Sequence, residues 1–367
     1  MRPVAVLIFH ACAPNYAGPL VRALADARYE LATRQLDAFL AAGADEAEIL
    51  AGPPDGLTFG ERLRASAVGE RAAGGIVILG SGSIPLARAA DLRRFIEVAA
   101  GPPGHALANN RYSADVVAIS RAADLADLPP LPADNALPRW LEERAGVEVA
   151  DLRTRWRLGV DIDTPLDLLV IATAGGGAAA RDLRAAAPLI GERLTALADV
   201  IGNRRAELLV AGRVSATTLK WLENGVACRV RALVEERGLR AASHLAQTGP
   251  THDAGNARPP QSVLGSLLDQ RDGSDALAGL VAHLADAAVI DTRVLLAHRH
   301  GADETNWPSA EDRFASDLLL PNGIADPWLS VVTRSAAASP APILLGGHTL
   351  VNGGLRLLAQ RARAGAR

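Results

Sequence analysis

The chain reads as an α/β protein, with a mostly parallel sheet covered by helices on both faces and a second α/β domain after it. Three observations predict this. Continuous apolar runs such as Val4 to Phe9 and Ile76 to Leu79 alternate with helical stretches, as strands buried on both faces require. The alternation resumes late in the chain, at Ala206 to Ala211 and Pro342 to Leu345. Between the two series, Thr173 to Ala180 is a run of small residues that reads as a linker. The expected organisation is a first domain over residues 1–174, a Gly/Ala linker over 175–181 and a second domain over 182–367.

Taken in order, Val4 to Phe9 is the first buried strand. A long Ala-rich helix follows from about Leu20 to Ala42, with Leu24, Leu31, Leu36, Phe39 and Leu40 on its apolar face and Gly43 as its stop. Glu48 to Ala51 reads as a short strand, Phe59 begins a helix that runs toward Gly74, and Ile76 to Leu79 is the third strand. A helix through Asp91 to Ala99 comes next, then a strand at Val116 to Ile119 and a helix opened by Pro132 to Pro138 and running to Arg144. Beyond the linker, a helical stretch from Leu183 to Ile201 precedes the strand at Ala206. Leu219 to Arg237 reads as a second helix, and Gln247 to Gln261 as a mobile loop rich in Gly, Asn, Asp and Pro. Ala287 to Leu296 fits strand or helix equally. Pro342 to Leu345 is the last strand and a basic helix ends the chain.

Composition narrows the partners. The chain has 367 residues, is 49% hydrophobic and carries a net charge of -3, as expected of a soluble globular protein long enough for two cores. Nucleic acid is not expected as a partner, because no basic run makes an electrostatic footprint and aromatics are only 4%. Lys220 is the single lysine, so phosphate contacts in the first half must come from arginine or backbone N–H groups. Cys12 and Cys228 are too few and too far apart for a disulfide framework, which fits the cytoplasm. No apolar run is long enough to cross a membrane.

The stretch richest in chemistry is Trp156 to Leu168, and above all Asp161-Ile162-Asp163-Thr164-Pro165-Leu166-Asp167. It reads as a strand running into a helix. In extended chain Asp161 and Asp163 leave the same face. Thr164 is a good N-cap, Pro165 suits the first helical position and Asp167 closes a short capping box. Paired carboxylates on such a corner suit a hard cation such as Mg²⁺ or Mn²⁺.

This motif resembles the closing motif of nucleotidyltransferases with the nucleotide-diphospho-sugar transferase fold, among them the molybdenum-cofactor nucleotidyltransferases and the 2-phospho-lactate guanylyltransferase family. The resemblance covers a little under half of the chain, to about residue 174. It implies a Rossmann-like, mostly parallel sheet in which Asp161 and Asp163 are the catalytic, metal-binding pair, with Mg²⁺ or Mn²⁺ as cofactor. The loop Gly80-Ser81-Gly82-Ser83-Ile84-Pro85-Leu86 resembles the family loop whose aspartate is a further metal contact; here Ser83 stands in its place. The family's basic, Gly-rich phosphate loop is replaced by His10 to Pro19, which has no lysine, and Arg22, Arg28 and Arg34 follow on the helix. Ser81, Ser83 and Arg22 are thus candidates for nucleotide contact. Asn109, Asn110 and Arg111, with Asn135 from the Asp-Asn-Ala-Leu element, are candidates for the acceptor.

The expected activity is metal-dependent transfer of a nucleotidyl group from a nucleoside triphosphate to a small phosphorylated acceptor. Glycosyl transfer from a nucleotide sugar is the variant on the same fold. A non-catalytic nucleotide sensor or scaffold is the competing class, because Ser83 and the non-basic loop are what a degenerate site would leave. Three constellations in the second half also carry potential chemistry: Gly346-Gly347-His348-Thr349 after a strand, His298-Arg299-His300, and Glu311 to Asp317, whose charges read as exposed surface. Homo-oligomerisation is left open.

Overall fold

The computed structural model describes residues 2–53, 55–67, 71, 73–131, 134–172, 178–236, 259–271 and 276–365. Contacts divide the chain into two compact units. Of the described residues, the first comprises those up to Ala17 and Ala25–Ile162, and the second Gly18–Leu24 and those from Asp163 onward. The division therefore falls at Ile162 and Asp163. The expected linker core at 173–177 lies outside the described residues, while Ala178 to Arg181 belong to a helix.

In the first unit, β1 (Val4–Ala11), β2 (Glu46–Gly52), β3 (Gly75–Gly80), β4 (His105–Ala108), β5 (Val116–Ile119) and β6 (Glu148–Asp151) form one sheet in the order β2-β1-β3-β5-β4-β6. β1 pairs in parallel with β2 and β3, and β4 with β6; only β5 runs against its neighbours. The helices are α1 (Pro19–Ala41), whose first turns are grouped with the second unit, α2 (Phe59–Ala67), α3 (Ala89–Ala99) and α4 (Leu137–Glu143). Two apolar layers cover the sheet. Phe39, Leu92, Phe95 and Ile96 pack on one face, and Leu63, Leu125, Leu128, Leu137 and Leu141 on the other.

In the second unit, β7 (Glu207–Gly212), β8 (Arg229–Val234), β9 (Ala287–Asp291) and β10 (Ile343–Gly346) form an all-parallel sheet in the order β10-β9-β7-β8. Its helices are α5 (Pro165–Ala172), α6 (Ala178–Ala186), α7 (Pro188–Gly202), α8 (Ala216–Gly225), α9 (Val263–Asp269), α10 (Ala276–Leu284), α11 (Thr292–His300), α12 (Ala310–Asp317), α13 (Pro327–Ala338) and α14 (Leu355–Gly365). A π turn at Leu350–Gly354 runs into α14, so helical chain extends from His348 to Gly365. Leu208, Leu209, Val210, Val289, Leu344 and Leu345 are fully buried, as central strands of a parallel sheet must be.

The α/β class, with a mostly parallel first sheet and a second α/β unit, is as the sequence predicts. Several elements differ. The helix expected over Leu219 to Arg237 ends at Gly225, and Arg229–Val234 is the edge strand β8. The helical stretch from Leu183 breaks at Pro188, whose ring cannot continue the preceding helix. Ala287 to Leu296 is both strand and helix, divided at Asp291. The loop expected at Gln247 to Gln261 lies outside the described residues except for its last three. Among the described residues, no helix is long and apolar enough to cross a membrane.

Candidate functional site

In the first sheet the chain passes from β1 outward to β2 and then returns to β3 on the other side of β1. A crevice at the carboxyl ends of β1 and β3 is therefore the topological switch point, where doubly wound sheets place their ligands. His10, at the end of β1, is buried, and its Nδ1 lies 3.0 Å from Ser81 Oγ just beyond β3. Burial, and then the positive charge of Arg28, hold its pKa below the ordinary imidazole value, so the ring is neutral at pH 7. The Tyr29 ring packs against it edge to face, with ring centroids 5.2 Å apart.

The loop after β3 is fastened from both sides. Gln35 Nε2 donates to the Ser83 carbonyl at 2.6 Å, and Ser81 N to the Phe9 carbonyl at 2.9 Å. Ile162 N donates to the Gly82 carbonyl at 2.9 Å, while Arg28 Nε donates to the Ile162 carbonyl at 2.6 Å. A side chain at position 82 would meet the Ile162 carbonyl oxygen at 2.8 Å, which is why glycine stands there. Ile84 takes a φ of 44° and is nonetheless buried, a costly conformation for a β-branched residue. Backbone strain of this kind clusters at ligand sites.

Ser83 and Asp161 are joined by an isolated antiparallel bridge. The strand expected around Asp161 is reduced to that one bridge, because a short 3₁₀ helix at Trp156–Gly159 precedes it. Asp161 is half-buried in the first unit; Asp163 is exposed and falls in the second. The capping box forms as the sequence predicts. Asp167 Oδ2 accepts from Asp163 N at 3.0 Å and Thr164 N at 2.8 Å, and Asp167 N donates to Thr164 Oγ1 at 3.3 Å.

Ser81, Ser83 and Asp161 are thus brought together, and the acceptor candidates form a second group. Asn109 is 2% exposed, and its amide is committed to Asp115 and to the Leu158 carbonyl at 2.7 and 2.8 Å, with Oδ1 accepting from Asp115 N at 2.9 Å. Its place is that of a loop fastener. Asn110 Oδ1 closes a turn by accepting from Tyr112 N at 3.1 Å, Arg111 is paired with Glu142, and Asn135 Oδ1 accepts from Ser113 Oγ at 3.1 Å. Between the two groups lies a small cleft with Phe9, Phe59 and Leu137 as apolar walls and Gly80, Asp115 and Asp134 at its polar side. Phe9 and Phe59 meet edge to face at 5.8 Å. Arg22 lies in the segment grouped with the second unit.

His10 and Gln35 are site residues that the motif reading misses. A polar residue closing an otherwise apolar strand was the available signal for His10. In the second unit, His298 is a fastener: its Nε2 lies 3.0 Å from Asp269 Oδ2 and its Nδ1 accepts from Ser262 N at 3.2 Å. The charges on α12, expected on the surface, are largely buried. Asp312 takes the N–H groups of Ala325 and Asp326 at 3.2 and 3.0 Å, and Asp317 is fully enclosed. Among the described residues, no three His, Cys, Asp or Glu side chains stand together as a preformed metal cage.

No protein-family model and no curated protein matches the chain. Among solved structures, that of a candidate nucleotide-diphospho-sugar transferase from Desulfovibrio desulfuricans G20 is similar at 16% identity with a TM-score of 0.37, covering 52% of this chain and 98% of that one.

Proposed function

We propose that the first unit binds a nucleoside triphosphate at its switch point and transfers the nucleotidyl group to a phosphorylated small molecule. The observation that carries this reading is the bridge between Ser83 and Asp161, which sets the acidic motif against the loop after β3 at the edge where such sheets bind nucleotides. An acceptor phosphate oxygen attacks the α-phosphorus, the bond to the bridging oxygen breaks and pyrophosphate leaves. Such a transfer needs in-line positioning and neutralised charge more than a side-chain nucleophile. In this reading the hydroxyls of Ser81 and Ser83 and the backbone between them hold phosphate oxygens, and neutral His10 keeps Ser81 oriented.

The donor set fits a divalent ion shared with the substrate rather than one held by protein alone. Asp161 would hold it beside the weak Ser83 hydroxyl, with phosphate oxygens and water completing the shell; Asp163, two residues on, is proposed as its second carboxylate from the motif alone. Bound there, Mg²⁺ or Mn²⁺ would neutralise charge on the phosphates.

The test is a thermal-melt panel of the full chain with GTP, CTP, ATP, UTP and nucleotide sugars, each with and without Mg²⁺ or Mn²⁺. A ligand at a hundred times its dissociation constant stabilises by about 2.7 kcal/mol. A metal-dependent shift with one triphosphate that disappears in Asp161→Asn supports the reading. A shift confined to nucleotide sugars replaces nucleotidyl by glycosyl transfer, and no shift with any nucleotide leaves the scaffold reading in its place.

A further inference from the structure

The second sheet has a switch point of its own. The chain leaves β7 for the edge strand β8 and returns to β9 on the other side of β7. The loops that emerge there are laced together. Arg213 donates from Nε and Nη2 to the two oxygens of Asp291, at 2.5 and 3.1 Å. Arg293 donates from Nη1 and Nη2 to the two oxygens of Asp317, at 2.6 and 2.8 Å. Thr292 Oγ1 donates to the Gly346 carbonyl at 3.2 Å, and Asn352 Nδ2 to the carbonyls of Arg213 and His348 at 3.0 and 2.9 Å. Asp291 and Asp317 are essentially inaccessible. Two buried ion pairs cost more to desolvate than apolar side chains of the same volume, so stability does not explain them.

Two further features give the edge a ligand's shape. A Cβ built at Gly347 would sit 3.9 Å from Arg293 Nε on one side and 3.9 Å from Thr164 Cγ2 on the other, so glycine leaves a methyl-sized cradle at the head of the final helix. On the Thr164 wall stands Asp167, 1% exposed, whose Oδ2 takes three donors while its buried Oδ1 has no hydrogen-bond partner among the described residues. A buried polar atom left unmatched is destabilising and calls for a hydrogen-bond partner from outside the chain. The two ion pairs leave Arg213 Nη1 and Arg293 Nε outside their pairings, and a guanidinium still has N–H groups to offer there.

We propose that this edge is a second binding site, for a small phosphate ester that also carries hydroxyl groups. The phosphate lies over Gly347 at the helix start, within reach of the remaining N–H groups of Arg213 and Arg293, and a ligand hydroxyl pairs with Asp167 Oδ1. A helix start and guanidinium donors favour phosphate oxygens. Inorganic phosphate leaves the Asp167 oxygen unmatched, and a neutral polyol leaves the arginine donors unmatched. The ester satisfies both. The site lies within the second unit and uses no nucleotide, so it stands or falls apart from the proposed transferase activity.

Calorimetric titration of the full chain tests it, with ribose 5-phosphate and glucose 6-phosphate against inorganic phosphate and ribose. The sugar phosphates are expected to bind at least about tenfold more tightly than either fragment, a gap of about 1.4 kcal/mol. Gly347→Ala fills the cradle at ordinary contact distance and should melt as the parent does while losing at least about tenfold in affinity. Gly279→Ala, whose added methyl meets nothing within 4 Å, should bind unchanged. No binding of either ester, equal binding of inorganic phosphate, or unchanged binding by Gly347→Ala overturns the proposal. Should Gly347→Ala fail to fold, Asp167→Asn decides. Loss of the preference for ester over phosphate supports the site, and a retained preference overturns it.

Discussion

Asp167 shows how one side chain is pulled by several neighbours at once. Burial raises its pKa to about 7, the nearby Asp163 carboxylate pushes the same way, and the hydrogen bonds from Thr164 resist. An unfolded chain releases this proton near pH 3.9, so the folded state holds it through the window between about 4 and 7. A raised folded value means that this group's contribution to stability is complete below the unfolded pKa and is lost as pH rises through the folded one. Asp167→Asn, which mimics the protonated form, should melt close to the parent at pH 4.5 and above it at pH 8.5. A melting difference that stays constant over that range would sink this account. The paired Arg293 of α11 and Asp317 of α12 behave differently. Burial alone would lower the Arg293 guanidinium and raise the Asp317 carboxyl; the pair's own attraction holds the arginine above its ordinary value, while burial wins for Asp317. None of these partnerships was legible in the sequence, because Arg213 and Asp291 stand 78 residues apart and Arg293 and Asp317 stand 24 apart, and periodicity carries no information at that range.

Among the elements, α5 is the one whose start was read most closely from sequence. Thr164, Pro165 and Asp167 each take the position that local chemistry assigns them. Thr164→Ala removes the Oγ1 acceptor and one donor to Asp167 Oδ2, and a lost N-cap costs about 1 kcal/mol. In a domain of this size that should lower the melting temperature by about 2–4 °C, measured by circular dichroism. The strands show where such reading fails. β1, β3, β7 and β10 were found because buried strands are continuously apolar. β4 and β6 leave no such signal: each is four residues long, and His105 and Glu148 give them polar ends. β8 reads as helix in the sequence because it lies at an edge. Its Arg229 and Arg231 reach the Glu207 carboxylate at 3.8 and 2.9 Å, so the charges that mask its alternation are the ones that hold it to β7 and guard the open edge. The acidic motif is the helix start that its sequence predicts, but its predicted strand is reduced to one bridge at Asp161 among the described residues.

At the scale of the molecule, the two sheets share one plan: a central strand, an edge strand made next, and a return to the other side. Strand position then orders stability within each sheet. Among the described residues, β1 and β7 have partners on both sides, whereas β2, β6, β8 and β10 are paired on one side. Hydrogen exchange should find the amides of β1 and β7 slower than those of the edge strands β2, β6, β8 and β10; uniform protection across either sheet would contradict that ordering. The fold class was legible because it depends on alternation, which local sequence carries. The second switch point was not, because it depends on strand order, which appears only once β9 has returned to β7.

That return has a consequence for how the second unit assembles. β7 and β8 are neighbours in both sequence and space, so their pairing closes a short loop around α8. β9 must instead find β7 after all the chain between Val234 and Ala287 has been made. Closing a loop grows costlier only slowly with length, by about 0.6 kcal/mol for each doubling, and contacts of long sequence separation slow the search. Refolding kinetics should therefore respond strongly to substitutions that weaken the β7–β9 seam and weakly to changes in the length of the connection before it.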